Sequence, residues 1–328
     1  MQSKVEDPPL KIDQLILSDL GKIGPVMGLI GLYLAFTLMS DRFLTVGNQI
    51  NVLRQASIIG MLAIASTFPI LCAEIDLSIA QMLEFIGFFI VAIATGNLFA
   101  LTLPVPLAVL VGLSVAATLG AVSGVITSRM NIPSFMTTLA ILFLVDGLGL
   151  AVSNNQTIAN VPPSLAWLGA SETYGFPTII IAFLSLLIIS QLVLSYTRFG
   201  LYIYAVGEDR ESARLNGINV SRVRIAVLVI SAVFAGFAGI LMVGRINFAT
   251  PAMGQGLLLP PIAAVILGGA DLFGGRGNMF GTLVGVMILS ILANGLNLMG
   301  VDISGQLIAQ GIILLLAILV NVIRRSDR

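Results

Sequence analysis

Ile225-Ala226-Val227-Leu228-Val229-Ile230-Ser231-Ala232-Val233-Phe234-Ala235-Gly236-Phe237-Ala238-Gly239-Ile240-Leu241-Met242-Val243 runs without a charge, with Arg222 and Arg224 just before it and Arg245 just after. Wound as a helix at about 1.5 Å per residue it reaches about 28 Å, close to the ~30 Å of a bilayer's hydrocarbon core. One such run can be a buried core helix, but here the pattern recurs along almost the whole chain. Further apolar runs lie at 23–39, 52–73, 79–95, 101–127, 132–152, 176–196, 257–269, 279–299 and 305–323, each bounded by Pro, Asn, Gly or charge. Of the 328 residues 57% are apolar and 10% charged, against roughly 25% charged in a soluble chain. So few charges cannot cover a water-facing surface, and much of the apolar surface must face lipid. The expected fold is all-α and polytopic, with about ten spans.

The run at 257–269 is too short to cross, contains Pro260-Pro261 and ends in Gly268-Gly269, which points to a broken or re-entrant helix lining protein or water. Basic residues set the expected orientation. With ten spans and both termini inside, Lys4, Lys11, Lys22, Arg129, Arg198, Arg210, Arg214, Arg222, Arg224, Arg276, Arg324, Arg325 and Arg328 fall inside, and only Arg42, Arg54 and Arg245 fall outside. That is a strong positive-inside bias. Residues 1–22 read as a cytoplasmic tail with no cleavable signal, 23–323 as the membrane domain and 324–328 as a second cytoplasmic tail. Small residues spaced by four, at Gly24 and Gly28, Gly120 and Gly124, and Gly277, Gly281 and Gly285, are read as helix packing faces.

The missing residue types exclude most catalysis. With no histidine and one cysteine, Cys72, the chain has no Ser-His-Asp triad, Cys-His pair, His/Cys metal site or internal disulfide. An Asp/Glu pair such as Asp76 with Glu84 shows no shared reactive face, so an enzyme is not expected. Net charge is zero, and no nucleic-acid partner is expected.

The longest internal stretch unable to sit in lipid is Thr197 to Arg224. Within it Glu208 to Asn216 reads as a short helix, with Gly207 ahead and Gly217 as its stop. It forms a knob of charge and small side chains, suited either to docking on another protein or to a solvated loop. Glu211-Ser212-Ala213, followed after three residues by Gly217, resembles the Glu-Ala-Ala…Gly coupling sequence of permeases in ATP-binding-cassette importers. More broadly, Phe43-Leu44-Thr45-Val46, Asn51-Val52-Leu53-Arg54-Gln55, Ile75-Asp76-Leu77-Ser78, Ile132-Pro133-Ser134-Phe135, Ala263-Ala264-Val265-Ile266-Leu267-Gly268-Gly269, Gly274-Gly275-Arg276-Gly277 and Asn294-Gly295-Leu296-Asn297-Leu298 follow in order. Together they resemble the ribose-type branch of bacterial sugar permeases, the branched-chain amino acid/ribose/xylose-like subunits, over nearly all of residues 42–323.

That resemblance implies a half-transporter in the bacterial inner membrane, moving a sugar or sugar-like solute by alternating access. It implies three partners besides membrane lipid: a cytoplasmic ATPase, a periplasmic or lipid-anchored sugar-binding protein, and a second permease copy or paralogue. ATP and magnesium would be bound by the ATPase, since this chain has no Gly-x-x-x-x-Gly-Lys-Ser/Thr loop and needs no cofactor of its own. Gly207, Glu208, Arg210, Glu211, Ala213, Arg214 and Gly217 would couple to the ATPase.

Two acids depart from the family pattern: Glu84 in the third span and Asp146 in the fifth. An acid in hydrocarbon costs at least ~2.5 kcal/mol on insertion scales, so each should find a partner or water. They read either as sugar-binding or field-setting groups of the pathway or as structural groups, Glu84 then pairing with a neighbour such as Gln81 and Asp146 solvated near a helix end. Ser78, Gln81, Thr138, Asn294 and Asn297 complete the candidate pathway, the two asparagines sharing a helical face or joining helices. The alternative function is an ion-coupled secondary transporter using Glu84 and Asp146.

Overall fold

The computed structural model describes residues 12–98, 102–173 and 175–326, and these are helical nearly throughout. Helices α1 (Ile12–Met39), α2 (Val46–Leu71), α3 (Ile79–Ala94), α4 (Val105–Arg129) and α5 (Ser134–Ser153) precede a short α6 (Pro163–Ala170). The two-residue strands β1 (Glu172–Thr173) and β2 (Phe176–Pro177) form an antiparallel hairpin with Glu172 opposite Pro177. Then come α7 (Thr178–Tyr196), α8 (Arg198–Glu208), α9 (Arg210–Leu215), α10 (Val220–Ile246), α11 (Leu259–Leu267), α12 (Met279–Leu298) and α13 (Ile303–Ser326). Helix α1 starts at Ile12, so half of the expected N-terminal tail is helical; residues 1–11 and 327–328 lie outside the described residues.

Among the described residues six helices are long and apolar enough to cross a bilayer: α2, α4, α5, α7, α10 and α12. The apolar stretches Gly24–Met39, Ile79–Ala94 and Ile303–Leu316 are shorter. Two of the six form the interior: 83% of the most apolar stretch of α2 is buried and 72% of that of α12, against 22% for α4. Helices apolar all round must have a lipid face when no protein covers them, which is why Leu110, Phe143, Leu144, Ile188 and Ile189 lie exposed on α4, α5 and α7. Helix α10 packs against α2, α3, α4 and α6, and α12 against α1, α2 and α11.

Small residues permit the closest crossings. A Cβ at Gly120 would lie 2.8 Å from Leu228 O of α10, one at Gly124 2.8 Å from Ile225 Cα, and one at Gly285 would overlap Ala264 O of α11. The predicted face at Gly120 and Gly124 is therefore observed, and that at Gly281 and Gly285 too, whereas Gly277 lies ahead of α12 in the loop, with φ +137°. Gly24 and Gly28 are the exception, with nothing within 4 Å. Helix α1 lies at the margin and joins the bundle through its second half, where Phe36 meets Phe43, Ile291 and Leu292.

Connections gather at two ends. At one end the 72–78, 130–133, 197–219 and 268–278 segments are tied together by the bonds described below. At the other end Ile158 and Ala249 exchange backbone bonds of 2.9 Å, Arg54 pairs with Glu172 at 2.8 Å, and Arg245 donates to Arg54 O at 3.3 Å. The stretch between α10 and α11 is irregular, and Gly254 within it donates to the Glu84 carboxylate at 3.1 Å.

Candidate functional site

The knob is built from two helices rather than the single one expected. Gly207 and Glu208 end α8, and the chain then turns through Asp209, whose extended backbone (φ −155°) opens α9. The Asp209 carboxylate caps α9 by accepting from Ser212 N–H at 2.5 Å, and that bond holds its pKa below the ordinary value. At the other end Gly217 N–H donates to Arg214 O at 3.0 Å and Ile218 N–H to Ala213 O at 3.1 Å, a Schellman closure with Gly217 at φ +80°. The predicted stop at Gly217 is thus observed.

One face of α9 looks inward and one outward. Ala213 is buried, and the Arg210 guanidinium turns into the bundle. Outside, Arg214 forks onto Glu211 through bonds of 2.6 and 3.0 Å, lowering the Glu211 pKa. Beside this pair Leu215 is 76% exposed, an apolar tip that the charge pattern alone did not single out.

The seat of the knob consists of two breaks in the membrane helices. Pro69, in the last turn of α2, accepts Cys72 N–H and Glu74 N–H at 2.9 Å each, and Ala73 takes a left-handed φ of +56°. Gly275 N–H, from the 268–278 segment, donates to Leu71 O at 3.0 Å. Tyr204 of α8 donates to Gly277 O at 2.8 Å, and Arg276 comes to 4.0 Å from Glu208. Gly207 is wedged where these meet: a Cβ there would overlap Leu71 O and lie 2.6 Å from Gly275 N. Gly207 therefore serves contact with the bundle, not the outer surface.

The centre of the seat is Glu74, 2% exposed. Its Oε1 accepts from Arg210 Nη2 at 2.8 Å and from Arg224 Nε, while Arg210 also donates to Ala73 O at 3.0 Å. The sequence counted Arg224 among the charges of an exposed loop; it is 5% exposed near the start of α10, because burial is tolerable once a carboxylate pairs with it. A cavity of about 560 Å³ opens here, with Glu74, Arg210 and Arg224 toward it and Pro133, Phe135 and Phe273 among its apolar walls.

The 75–78 stretch is pinned by the start of α5. Ile75 N–H donates to Ser134 Oγ at 2.9 Å and Leu77 N–H to Thr138 Oγ1 at 3.1 Å. Asp76 Oδ1 accepts from Ser78 N–H at 2.8 Å and Ser78 Oγ at 2.6 Å. Two motifs whose bonded residues Ile75 and Ser134 are 59 residues apart are thus joined at one place. Among the described residues no group of three His, Cys, Asp or Glu gathers as a metal site requires.

A family model described as branched-chain amino acid transport system / permease component matches residues 48–319. The chain belongs to that family. It is similar to the ribose import permease protein of Escherichia coli strain K12, 35% identical over 90% of this chain and 92% of that protein. It also resembles the fructose import permease protein of Rhizobium meliloti, 31% identical over 90% of this chain and 84% of the other. The L-arabinose ABC transporter permease protein of Azospirillum brasilense is 31% identical over 94% and 90%. No solved structure matches the chain.

This member of the permease family is a multi-pass membrane transport subunit and not an enzyme, and its family works with a partner ATPase and a substrate-binding protein. Its predicted pathway residues separate into groups. Ser78 and Thr138 are buried in the bonds that hold the 75–78 backbone. Glu84 is bonded to Gly254 N–H, not to Gln81, whose buried Oε1 has no partner among the described residues. The carboxylate thereby satisfies irregular backbone lodged among helices. Asp146, half-buried on α5, lies within electrostatic range of Glu84. Asn294 forms a reciprocal amide pair with Asn48, both bonds 2.9 Å, while Asn297 is exposed. The two asparagines lie about 60° apart on the helix, but Asn297 is in the last turn of α12 and exposed, so only Asn294 is buried against a neighbouring helix.

Proposed function

We propose that the chain is the membrane subunit of a bacterial sugar importer, that its knob receives the ATPase, and that it crosses the inner membrane about ten times with both termini in the cytoplasm. The observation that carries the coupling assignment is the build of α9: capped at both ends, presenting Glu211, Arg214 and Leu215 outward, and seated by Arg210 on the break between α2 and α3. A merely solvated loop has no need of such a seat. The outward face would dock on the ATPase, which binds ATP and magnesium, while Gly207, Glu208, Arg210, Ala213 and Gly217 set the pose of the helix.

The ten-span reading draws support from the clustering of connections at two ends, with Arg54 and Arg245 together at the end opposite the knob. In that reading the irregular 247–258 stretch and α11 make one discontinuous span, and Glu84 stabilises its unwound half. A second copy or paralogue would complete the pathway, and the hydroxyl-rich solute would be delivered by the binding protein. Movement would follow alternating access, driven by nucleotide binding in the partner.

Gly217→Arg and Glu211→Lys test the coupling assignment. Each variant should insert at wild-type level yet lose association with the ATPase and at least about 90% of uptake, since a bulky cation at φ +80° breaks the closure and a reversed charge breaks the outer pair. Normal uptake by both variants at normal expression would sink the assignment.

A further inference from the structure

Glu74 holds two guanidinium groups on one carboxylate oxygen, and the two differ in what they can do. The Arg224 side chain is 7% exposed and belongs to α10, whereas that of Arg210 is 44% exposed and belongs to α9. Arg210 carries the polar contacts of α9 to the bundle, to Glu74 Oε1 and Ala73 O, while Asp209, Glu211 and Arg214 bond within the knob. Of the residues in α9 only Ala213 is buried. The helix is therefore fastened to the membrane helices through charge more than through packing.

The arithmetic of the network matters. If Arg210 leaves, Glu74 and Arg224 remain as a buried neutral pair, and Arg210 enters water beside the cavity of about 560 Å³ that it lines. Neither position leaves a lone buried charge, so both are accessible to the same fold. If Glu74 leaves, Arg224 is stranded. The carboxylate is thus a fixed anchor for α10 and a separable one for α9. It also sits in the chain between α2 and α3, two helices packed on α10.

We propose that Glu74 is the positioning residue through which a displacement of α9 reaches the interior helices: a pull on Arg210 loads the α2–α3 break and the start of α10 together. This inference rests on the reading of α9 as the ATPase-docking helix and adds the path inward from it. It assigns Arg210 to transmission and leaves docking to the outer face.

The test uses the whole importer, permease with its ATPase and binding protein, reconstituted in proteoliposomes. The readout is uptake per ATP hydrolysed, with whichever of labelled D-ribose, D-fructose or L-arabinose the unaltered complex transports. Arg210→Gln, which leaves the Glu74–Arg224 pair whole, should assemble with the ATPase at wild-type yield and hydrolyse ATP, while uptake per ATP falls about tenfold. Arg210→Lys should recover part of the loss, since a point charge replaces the fork. Glu74→Gln should show the same loss, and the double variant no greater loss than either single one, because both act through one link. If Glu74→Gln fails to assemble, with Arg224 left unpaired, the two Arg210 variants decide alone. Wild-type uptake per ATP in Arg210→Gln overturns the proposal, as does loss of ATPase association in it, or losses that multiply in the double variant. Glu211→Lys and Gly217→Arg keep the two readings apart: if they lose ATPase association while Arg210→Gln is normal, only the relay fails, and if they retain it, docking fails first.

Discussion

At the residue scale the two glycines of the knob do different work. Gly217 needs its left-handed backbone, with open space around it, so Gly217→Ala meets conformational strain of about 1 kcal/mol and no collision. Gly207 has ordinary helical geometry but no room for a side chain against Leu71 and Gly275. Overpacking of that kind costs about 1–3 kcal/mol. Gly207→Ala should therefore lower the melting temperature of the detergent-purified protein by about 2–6 °C and more than Gly217→Ala does, as read by loss of the monodisperse peak in size-exclusion chromatography after heating. The opposite ranking would mean that α8 can lift from its seat freely. The sequence placed Gly207 only ahead of the short helix and Gly217 at its stop, since spacing shows that a glycine is present and not what lies 3 Å away.

At the element scale the bundle is joined by small residues and by a few polar pairs whose members are far apart in sequence. Asn48 and Asn294 are 246 residues apart and tie the start of α2 to the end of α12. In a membrane such pairs contribute about 0.6 kcal/mol on average and up to ~1.7 kcal/mol, because separated helices find other partners. Asn48→Ala and Asn294→Ala should each lower thermal stability, and the double variant should be more stable than the sum of the two losses predicts, by an interaction of that size. Strict additivity in the melting temperatures would show the two amides acting independently. Asn294 had read equally well as a pathway residue, and a single sequence could not choose, because its partner is identifiable only when α2 and α12 are brought together.

At the scale of the whole molecule the two ends are chemically different surfaces. The knob end carries the Glu74 network and the outward pair of α9, while the opposite end carries α6, the β1–β2 hairpin and the Arg54–Glu172 pair. The native Cys72 is 0% exposed and should stay silent to thiol reagents, so single cysteines can report topology directly. Gln156→Cys should react with a membrane-impermeant maleimide from outside intact cells, and Ser212→Cys only after the membrane is opened. Labelling of both from the same side would refute the ten-span arrangement with cytoplasmic termini. The same geometry argues that Glu84 is held by the irregular 247–258 stretch, so its burial has a structural cause whatever the solute.

What the sequence determined by itself was whatever depends on local composition and order along the chain. Scarce charge and recurrent apolar runs required a helical membrane protein, and the missing histidine excluded most catalysis. The ordered motifs from Phe43 to Leu298 led to the permease family, and Gly217 already carried the signal of a helix stop. Tertiary structure alone decided which polar groups face each other. Glu74, one position before a motif the sequence did single out, gave no signal of its own; it became the centre of the site because α2, α9 and α10 converge on it. Ser78, Thr138 and Asn294 looked like pathway groups and are held in structural bonds, and Arg224 looked solvated and is buried. Pairing depends on distance between segments far apart in the chain, and in a bilayer, where unpaired polar groups are costly, pairing is what gives a polar residue its role.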